Sequence, residues 1–454
     1  MFFVVSGAFI IFIFGLGYFI ANFLCLKKDN SPFMEKFPFI LTTGFLINYL
    51  ILLSVQSLKL SLLLGVIISG CSLAWFFMQQ GGKFKLVHKK IRFPLIMIIS
   101  LLLLYYFTIL SDPLEWWDAR SIWFFHAKMI WSAQSINLNA GWLHPSVPHT
   151  DYPKLIPALA AQISYVLGYW NEYAPKLSLF LILIPPVFWI FSFYSRSFSF
   201  LFLALVFPFG LKSYLWNGGM DGYVALYAAV SMLLFGRYLK SRRPLDLMSS
   251  IICLALVSNL KNEGLLIGLI GMSSIAITWV LSGKFPLSDL KKILSIHRWS
   301  WLSVIISPCI LWSFFYKHKW GLINDLHIGT MASFSRMMNR FSDGVSFPLI
   351  LKNIFFYDES AVWLSLVVFM AAIILLTIKR RYTVSWIPAL ITAIVYYVCL
   401  IIIYLLTPQD LKWHLSTSVQ RVMLTVSSCM LAGTYFILKE LEDAAKEKKY
   451  NSIR

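Results

Sequence analysis

The sequence predicts an all-α polytopic membrane protein, and two observations lead to this fold class. Hydrophobic residues make up 59% of the 454-residue chain and charged residues only 13%, with a mean hydropathy of +0.74. Soluble domains instead contain roughly 25% charged and 45–50% apolar residues. The apolar residues also gather in separate runs, and about 20 such residues suffice for one helix to cross a bilayer. The pattern of runs predicts about 13 transmembrane helices.

The predicted spans follow one another along the chain without an internal repeat or a low-complexity linker. They are residues 2–26, 37–55, 58–79, 93–111, 175–194, 197–215, 221–240, 247–260, 263–281, 300–316, 360–378, 387–406 and 422–438. The first charge is Lys27, so no basic region precedes the first run, and we interpret that run as a retained helix rather than a signal peptide. The sequence thus predicts one membrane domain over residues 1–454.

Basic residues predict the orientation, because cytoplasmic loops of membrane proteins are enriched in Lys and Arg. The segments assigned to the cytoplasm hold 25 of the 39 Lys and Arg residues but 8 of the 20 Asp and Glu residues. They are residues 27–36, 80–92, 195–196, 237–246, 282–299, 379–386 and 439–454. The net charge of +19 is therefore a topology signal and requires no nucleic-acid partner.

Residues 112–174 form the first large outer loop in this topology, and residues 317–359 form the second. Residues 154–170 look helical, but a further span there would move every later basic loop to the outside. We therefore predict a juxtamembrane or re-entrant helix. Residues 118–133 mix Trp with Arg120, His126 and Lys128, which is typical of a helix at headgroup depth.

Five polar clusters fall on the predicted outer side of this apolar chain. They are residues 112–118 with His144, His149 and Asp151, then residues 216–222, 261–264, 317–359 and 407–421. Three of them lie in short loops at the outer ends of spans, and residues 112–118 directly follow a span, so the side chains of these four clusters can converge on one cavity. Charged residues in or beside a bilayer are costly and usually functional, so the shared sidedness predicts an enzyme site at the outer surface.

Three aspartates are candidate catalytic residues, and each also has an ordinary structural interpretation. Asp118 lies between Trp117 and Arg120 at the start of a predicted helix, and could act as a helix cap. Asp221 opens a helix after two glycines and could do the same. Asp151 precedes Tyr-Pro and could stabilise a turn.

The basic candidates have alternatives too. Lys261 and Glu263 could form a structural ion pair at the end of a span. Arg421 begins a span and could extend its guanidinium towards the headgroups. His414 lies seven residues before Arg421, roughly two helical turns away, so both side chains share one face.

These residue types suit a sugar donor carried on a lipid phosphate. Arg binds phosphate through two parallel hydrogen bonds and Lys binds it as a point charge, so Arg421 or Lys261 could stabilise a polyprenyl phosphate leaving group. A carboxylate would take the proton from the acceptor hydroxyl. No Gly-rich dinucleotide loop is present, so the sugar would arrive already attached to lipid. No cofactor is certain, and a divalent metal ion is possible.

Several short motifs together resemble GT-C-type glycosyltransferases, integral-membrane enzymes that use polyprenyl-phosphate-linked sugars. The motifs are residues 117–119 (Trp-Asp-Ala), 149–153 (His-Thr-Asp-Tyr-Pro), Asp221 before an apolar helix, 261–264 (Lys-Asn-Glu-Gly), and 407–418 with Arg421. The nearest resemblance is to the branch that contains protein O-mannosyltransferases and the lipid A aminoarabinose transferase. The mannosyltransferases' Asp-Glu pair is not reproduced, since Glu115 and Asp118 are three residues apart.

The resemblance implies a GT-C-like catalytic core over residues 93–440, preceded by extra helices within residues 1–92. It implies that Asp118 is the catalytic base and that Asp151 or Asp221 is a second acidic residue. The expected substrate-binding residues are Arg120, His149, Lys261, Glu263, His414 and Arg421. The expected partners are a polyprenyl-phosphate sugar, a glycan, lipid or protein acceptor, and membrane lipid. The expected location is a bacterial inner membrane, with the site facing the periplasm.

Two other functions are the alternatives to a glycosyltransferase, and the sequence supports the first of them better than the second. An O-antigen ligase or polymerase would carry Arg and His in a large late outer loop, as residues 317–359 do with His318, His327, Arg336 and Arg340. A transporter of lipid-linked or anionic substrate would carry charges near the middle of its spans, where this chain has almost none.

Overall fold

The computed structural model describes residues 1–24, 31–80, 92–282, 296–324, 326, 330–355, 361–379 and 383–451. Over these residues the chain folds into α-helices and forms no β-strand, which confirms the predicted all-α class. Eleven helices in this described part of the chain are long and apolar enough to cross a membrane. Helices Pro244–Val257 and Ser365–Ile378 are apolar but shorter.

Among the described residues, each predicted span corresponds to one helix, and four further helices lie in the two large loops. In chain order the helices are α1 (Phe2–Leu24), α2 (Phe33–Val55), α3 (Leu58–Gln80), α4 (Arg92–Ser111), α5 (Phe124–Ala133), α6 (Leu155–Leu167), α7 (Leu177–Phe191), α8 (Phe198–Leu211), α9 (Asp221–Ser241), α10 (Pro244–Val257), α11 (Asn262–Leu281), α12 (Ile296–Ile310), α13 (Met331–Ser342), α14 (Ser346–Phe355), α15 (Ala361–Ile378), α16 (Ile387–Leu406) and α17 (Leu411–Asn451). A π-helical turn, Ala119–Trp123, leads into α5, and α12 continues through Leu311–Tyr316 and Lys317–Lys319.

The centre of the bundle consists of helices that are buried along nearly their whole length, α7 and α9, with α2 and α17 beside them. Close packing of α1 on α2 depends on glycine. A Cβ atom on Gly17 would lie 1.8 Å from the Ile40 carbonyl oxygen, and one on Gly44 would lie 2.0 Å from that of Ile13. Small residues of this kind let two helix backbones approach each other within a membrane.

Polar contacts divide the loops between two ends of the bundle. At one end, here called the basic end, Arg243 donates to Glu35 (2.8 Å), and Lys240 pairs with Glu440 (2.7 Å). The Ser199 hydroxyl also donates to Glu442 there (2.7 Å). The opposite end, here called the site end, unites the loops predicted to lie outside. This pairing of segments agrees with the predicted division of the loops. The predicted cytoplasmic segments 80–92 and 282–299 lie mostly outside the described residues.

The first large loop packs into the bundle instead of lying on its surface. Helix α6 buries ten of its side chains, and Gln162 exchanges hydrogen bonds of 2.6 and 3.2 Å with Asn48 in α2. At 13 residues α6 is also shorter than the candidate spans, which agrees with the prediction that it does not cross the membrane. Helix α5 packs on α6 with His126 fully buried, so only part of the predicted interfacial helix faces outward.

The prediction that residues 407–421 form a loop before the last span is wrong for most of that segment. Helix α17 begins at Leu411 and runs without interruption to Asn451. The carboxylate of Asp410 accepts a hydrogen bond from the Trp413 backbone amide (2.9 Å), which caps the first turn. No Pro or Gly follows before Gly433, so nothing in the sequence interrupts the helix.

Candidate functional site

Charged side chains from distant parts of the chain meet at the site end. Asp118, which precedes the π-helical turn, accepts a hydrogen bond from the Nη1 atom of Arg421 in α17. Asp221, the first residue of α9, lies 2.9 Å from the ammonium group of Lys261, which precedes α11. Glu263 lies 3.3 Å from the same ammonium group. We call these five residues the charged cluster.

The Asp118–Arg421 pair is accessible, since the two side chains are 13% and 20% exposed. Asp118 makes no hydrogen bond that caps the following helical turn, so helix capping does not explain it. Arg421 turns inward to Asp118 instead of extending to solvent. Gly218 allows this arrangement, because its φ of +92° and its contact with Ala119, where a Cβ would lie 2.6 Å away, require a glycine.

The Asp221–Lys261 pair is enclosed, with side-chain exposures of 6% and 7%. Asp221 lies in the first turn of α9, where the helix dipole favours a negative charge. Burial acts to lower the pKa of Lys261, but the Asp221 and Glu263 carboxylates outweigh it and hold that pKa above its ordinary value. Lys261 therefore stays protonated, and most of its charge is balanced within the protein.

Asp151 lies in a second cluster, deeper in the protein than the Asp118–Arg421 pair. It is 1% exposed, and its Oδ2 atom accepts hydrogen bonds from the amides of Asn262 and Asn324. Lys317 lies 3.8 Å away, and the Trp312 indole donates to the Asp151 carbonyl (3.0 Å). These contacts tie the first large loop to α11 and to the continuation of α12, so the geometry favours a positioning role.

An aromatic stack lies between these two clusters. The Tyr152 ring stacks on Trp123, with 5.5 Å between ring centres, and lies tilted against the His149 ring at 4.7 Å. The Lys261 ammonium lies 5.9 Å from the centre of the Tyr152 ring. His149 has a φ of +52°, a conformation that costs free energy for a non-glycine residue and is concentrated at functional sites. His149 thus borders the site through its ring contacts.

Three polar atoms in and beside the charged cluster are buried without a hydrogen-bond partner among the described residues. They are Oε2 of Glu263, Nδ1 of His414 and Nε of Arg421. The His414 ring packs edge-on against Tyr404, with 5.0 Å between the ring centres. Buried polar atoms without a partner cost free energy, so these three are candidate contacts for a polar substrate. Arg120, by contrast, is exposed and forms no ion pair within the described part of the chain.

Sequence reasoning missed a buried amine beside the site. Lys154 is fully buried, and its Nζ lies 3.0 Å from Nδ1 of His126 and 4.4 Å from the centre of the Trp142 ring. Nε2 of His126 faces the Pro148 carbonyl at 3.0 Å, so Nε2 carries the proton and Nδ1 accepts from Lys154. Burial lowers the pKa of both groups. A lysine directly before an apolar helix was the available sequence signal.

The possible divalent metal ion finds no donor set here. No group of three His, Cys, Asp or Glu side chains comes together among the residues that the structure describes. Asp118, Asp151 and Asp221 are instead engaged by different basic or amide side chains. These residues do not fit a bound divalent cation, and we derive no step through one.

Comparisons with protein-family models, with curated proteins and with solved structures gave no match for this chain. Inference about its function therefore depends on the geometry of the site end.

Proposed function

We propose that the protein is a membrane glycosyltransferase that moves a sugar from a polyprenyl-phosphate donor to an acceptor hydroxyl. The observation that supports this proposal best is the Asp118–Arg421 pair. A carboxylate and a guanidinium, 303 residues apart in sequence, meet in an accessible position where membrane helices end. A lipid-linked donor needs this placement, because its phosphate lies at headgroup depth while its sugar extends into water.

Arg421 is the best candidate for the donor phosphate. Its Nη1 atom binds Asp118, while its Nε atom is buried and has no partner among the described residues. The remaining N–H groups present the planar fork that binds a phosphate through two hydrogen bonds. Lys261 is less suited to this role, because Asp221 and Glu263 already balance its charge.

Asp118 is the candidate general base. It would take the proton of the acceptor hydroxyl while that oxygen attacks the anomeric carbon of the sugar. The bond between the anomeric carbon and the phosphate oxygen breaks, and polyprenyl phosphate leaves with the electron pair. Arg421 would stabilise the charge that develops on this leaving group. His149, Glu263 and His414 border the space in which sugar and acceptor would lie.

A ligase-like function gains little support from the second large loop. Arg340 donates to the carbonyl oxygens of Tyr404, Thr407 and Gln409, and Arg336 donates to that of Leu406. These arginines are thus used in holding the backbone. His327 lies outside the described residues.

The direct test is donor cleavage by the purified protein in lipid nanodiscs. A panel of polyprenyl-phosphate sugars is supplied with candidate acceptor alcohols, and released polyprenyl phosphate is measured. We expect release from at least one donor, and loss of at least about 100-fold in rate in Asp118→Asn, which removes the base. The matched control is Glu115→Gln, an exposed carboxylate of the same loop, which should keep normal activity. Equal rates in wild type and Asp118→Asn would contradict the assignment.

Arg421 has its own test in the same assay. Arg421→Lys keeps the charge but loses the planar fork, so the KM for the lipid donor should rise on the order of 10-fold, equivalent to about 1.4 kcal/mol. Lys412→Ala removes an exposed charge from the first turn of the same helix and should leave the KM unchanged. An unchanged KM in Arg421→Lys would indicate that Arg421 only supports Asp118.

A further inference from the structure

Helix α13 in the second large loop has three distinct faces. Met331, Phe334, Met338 and Phe341 form one row at helical spacing and are 83%, 54%, 49% and 59% exposed. A second face contains the small or polar residues Ala332, Ser335 and Asn339, which are also exposed. The third face packs against the protein through the buried Ser333 and the partly buried Met337.

The face towards the protein also carries two arginines. Arg340 donates to the carbonyl oxygens of Tyr404 (3.0 Å), Thr407 (2.7 Å) and Gln409 (3.1 Å). Arg336 donates to the carbonyl oxygen of Leu406 (3.2 Å). The carbonyls at the end of α16 lack helical partners, so a cation there is doubly favourable. We call this set of contacts the arginine clamp.

The clamp holds the connection between α16 and α17. That connection ends at Asp410, which caps the first turn of α17, and the helix then presents His414 and Arg421. The position of α13 is thus linked, through a few backbone contacts, to the helix that carries half of the Asp118–Arg421 pair.

We propose that α13 is an interfacial helix that lies along the lipid bilayer surface at the site end, with its exposed apolar row among the lipid chains. The arginine clamp then sets the connection between α16 and α17 at a fixed height relative to that surface. This inference concerns the docking of α13 and does not depend on the proposed reaction.

The three-sided pattern favours lipid over a protein partner. A helix at a membrane surface needs one apolar side for lipid, one polar side for water and, when it is part of a bundle, one side for its own protein. Helix α13 has all three, and it follows the end of one span while it is clamped to the end of another. A protein partner would not require the polar face to separate the apolar row from the clamp.

The helix is anchored at both ends, which fits a docked element better than a free arm. Thr330 caps its start by accepting a hydrogen bond from the Ser333 amide (3.2 Å). After its end, Asp343 caps α14 by accepting from the Ser346 amide (2.7 Å), and the Phe341 and Phe347 rings lie 5.1 Å apart. Helix α14 is fixed in turn by the buried Ile350 and Ile354.

Lipid photolabelling of the full-length protein in nanodiscs tests the docking. A phospholipid with a diazirine on its acyl chain is activated, and adducts are located by peptide mass spectrometry. We expect adducts on the row containing Phe334 and Met338, and none on Ser335 or Asn339. Absence of adducts throughout α13, while the lipid-facing peptides of α3 are labelled, would overturn the proposal. So would photocrosslinks from position 338 to a second copy of the chain in place of lipid.

Hydrogen exchange tests the link to the clamp. In nanodiscs, Met338→Glu should speed amide exchange over residues 404–414 several-fold, because a charge in the apolar row moves the helix out of the lipid. Arg340→Gln should do the same by removing the clamp directly. Ser335→Glu places the same charge on the polar face and should leave exchange unchanged. Equal exchange in Met338→Glu and Ser335→Glu would refute the link, whether or not Arg340→Gln has an effect.

Discussion

The charged residues at the site end differ in their burial and in the number of ion pairs and hydrogen bonds that they make within the protein. Lys261 and Asp151 are enclosed and engaged by several partners, whereas Asp118 and Arg421 engage each other and stay accessible. A general base must contact the acceptor hydroxyl, so the accessibility of Asp118 makes it a better candidate base than Asp151 or Asp221. The resemblance in sequence already implied Asp118 as the base and Asp151 or Asp221 as a second acidic residue, but spacing along the chain could not show that the latter two are buried.

The buried Asp221–Lys261 pair should matter more to stability than to chemistry. Asp221→Asn would leave the Lys261 charge enclosed with only Glu263 near it, at a cost of about 3–5 kcal/mol. The double change Asp221→Asn with Lys261→Met should recover part of this loss by removing the unbalanced charge. Unfolding of the detergent-solubilised protein, followed by denaturant titration, measures the free-energy differences.

The matched control for that experiment is the more exposed Lys240–Glu440 pair at the basic end, where the side chains are 39% and 21% exposed. Glu440→Gln should cost no more than about 1 kcal/mol, because solvent screens such pairs. A loss in Asp221→Asn no larger than the loss in Glu440→Gln would show that the Lys261 charge does not depend on Asp221.

Two elements show where sequence reasoning succeeds and where it fails. Residues 154–170 look helical from their sequence, and charge parity alone indicated that this helix is not a span, because a span there would have reversed every later basic loop. The start of α17 was predicted eleven residues late, because residues 411–421 are polar enough to resemble a loop. In the structure most of their polar side chains face the site or solvent while the backbone stays helical, and apolar content alone does not distinguish such a helix from a loop.

Helices α5 and α6 should respond to acid through His126. Burial is the largest cause that lowers the pKa of His126, followed by the positive charge of Lys154, and His149 adds a smaller effect of the same sign. The Asp151 carboxylate raises the pKa of Lys154, although burial lowers it more. On acidification the unfolded chain therefore binds a proton near pH 6.5 that the native state does not, and stability falls as the pH decreases.

Between pH 7 and pH 5 this single group should remove about 2 kcal/mol of stability. His126→Gln keeps an acceptor for Lys154 but cannot titrate. Between pH 7 and pH 5 its free energy of unfolding should therefore fall by about 2 kcal/mol less than that of the wild type. His144→Gln, at an exposed position, should follow the wild-type profile. Denaturant unfolding at a series of pH values measures the difference, and parallel profiles for wild type and His126→Gln would mean that His126 is not held neutral.

The whole molecule was predictable in its fold class and in the division of its loops between two ends, but not in its interior. Composition and apolar runs gave the all-α fold, and basic loops gave the division between two ends. Hydropathy could not identify the central helices. The α3 span has a mean hydropathy of 2.1, and only 22% of its residues are buried in the protein. The α7 span has a lower mean hydropathy of 1.8, yet 100% of its residues are buried. Lipid and protein interior are equally apolar, so the side of a helix that faces protein leaves little trace in its sequence.

The division between two ends can be tested by cysteine accessibility across the membrane. Thr150→Cys and Trp413→Cys lie at the site end, and Ser241→Cys and Lys446→Cys lie at the basic end. A membrane-impermeant maleimide applied to intact cells should label the first two, because the Lys- and Arg-rich loops belong in the cytoplasm. The other two should react only after lysis.

The unsubstituted protein serves as the background control for that labelling, since Cys71 is exposed on α3. If positions 241 and 446 are labelled in intact cells and positions 150 and 413 only after lysis, the site faces the cytoplasm. A polyprenyl donor would then have to be used on that side. If positions 150 and 413 label from different sides, Asp118 and Arg421 cannot meet, since their segments would be separated by the full thickness of the bilayer. The proposed site therefore depends on the first pair sharing one side more than on which side that is.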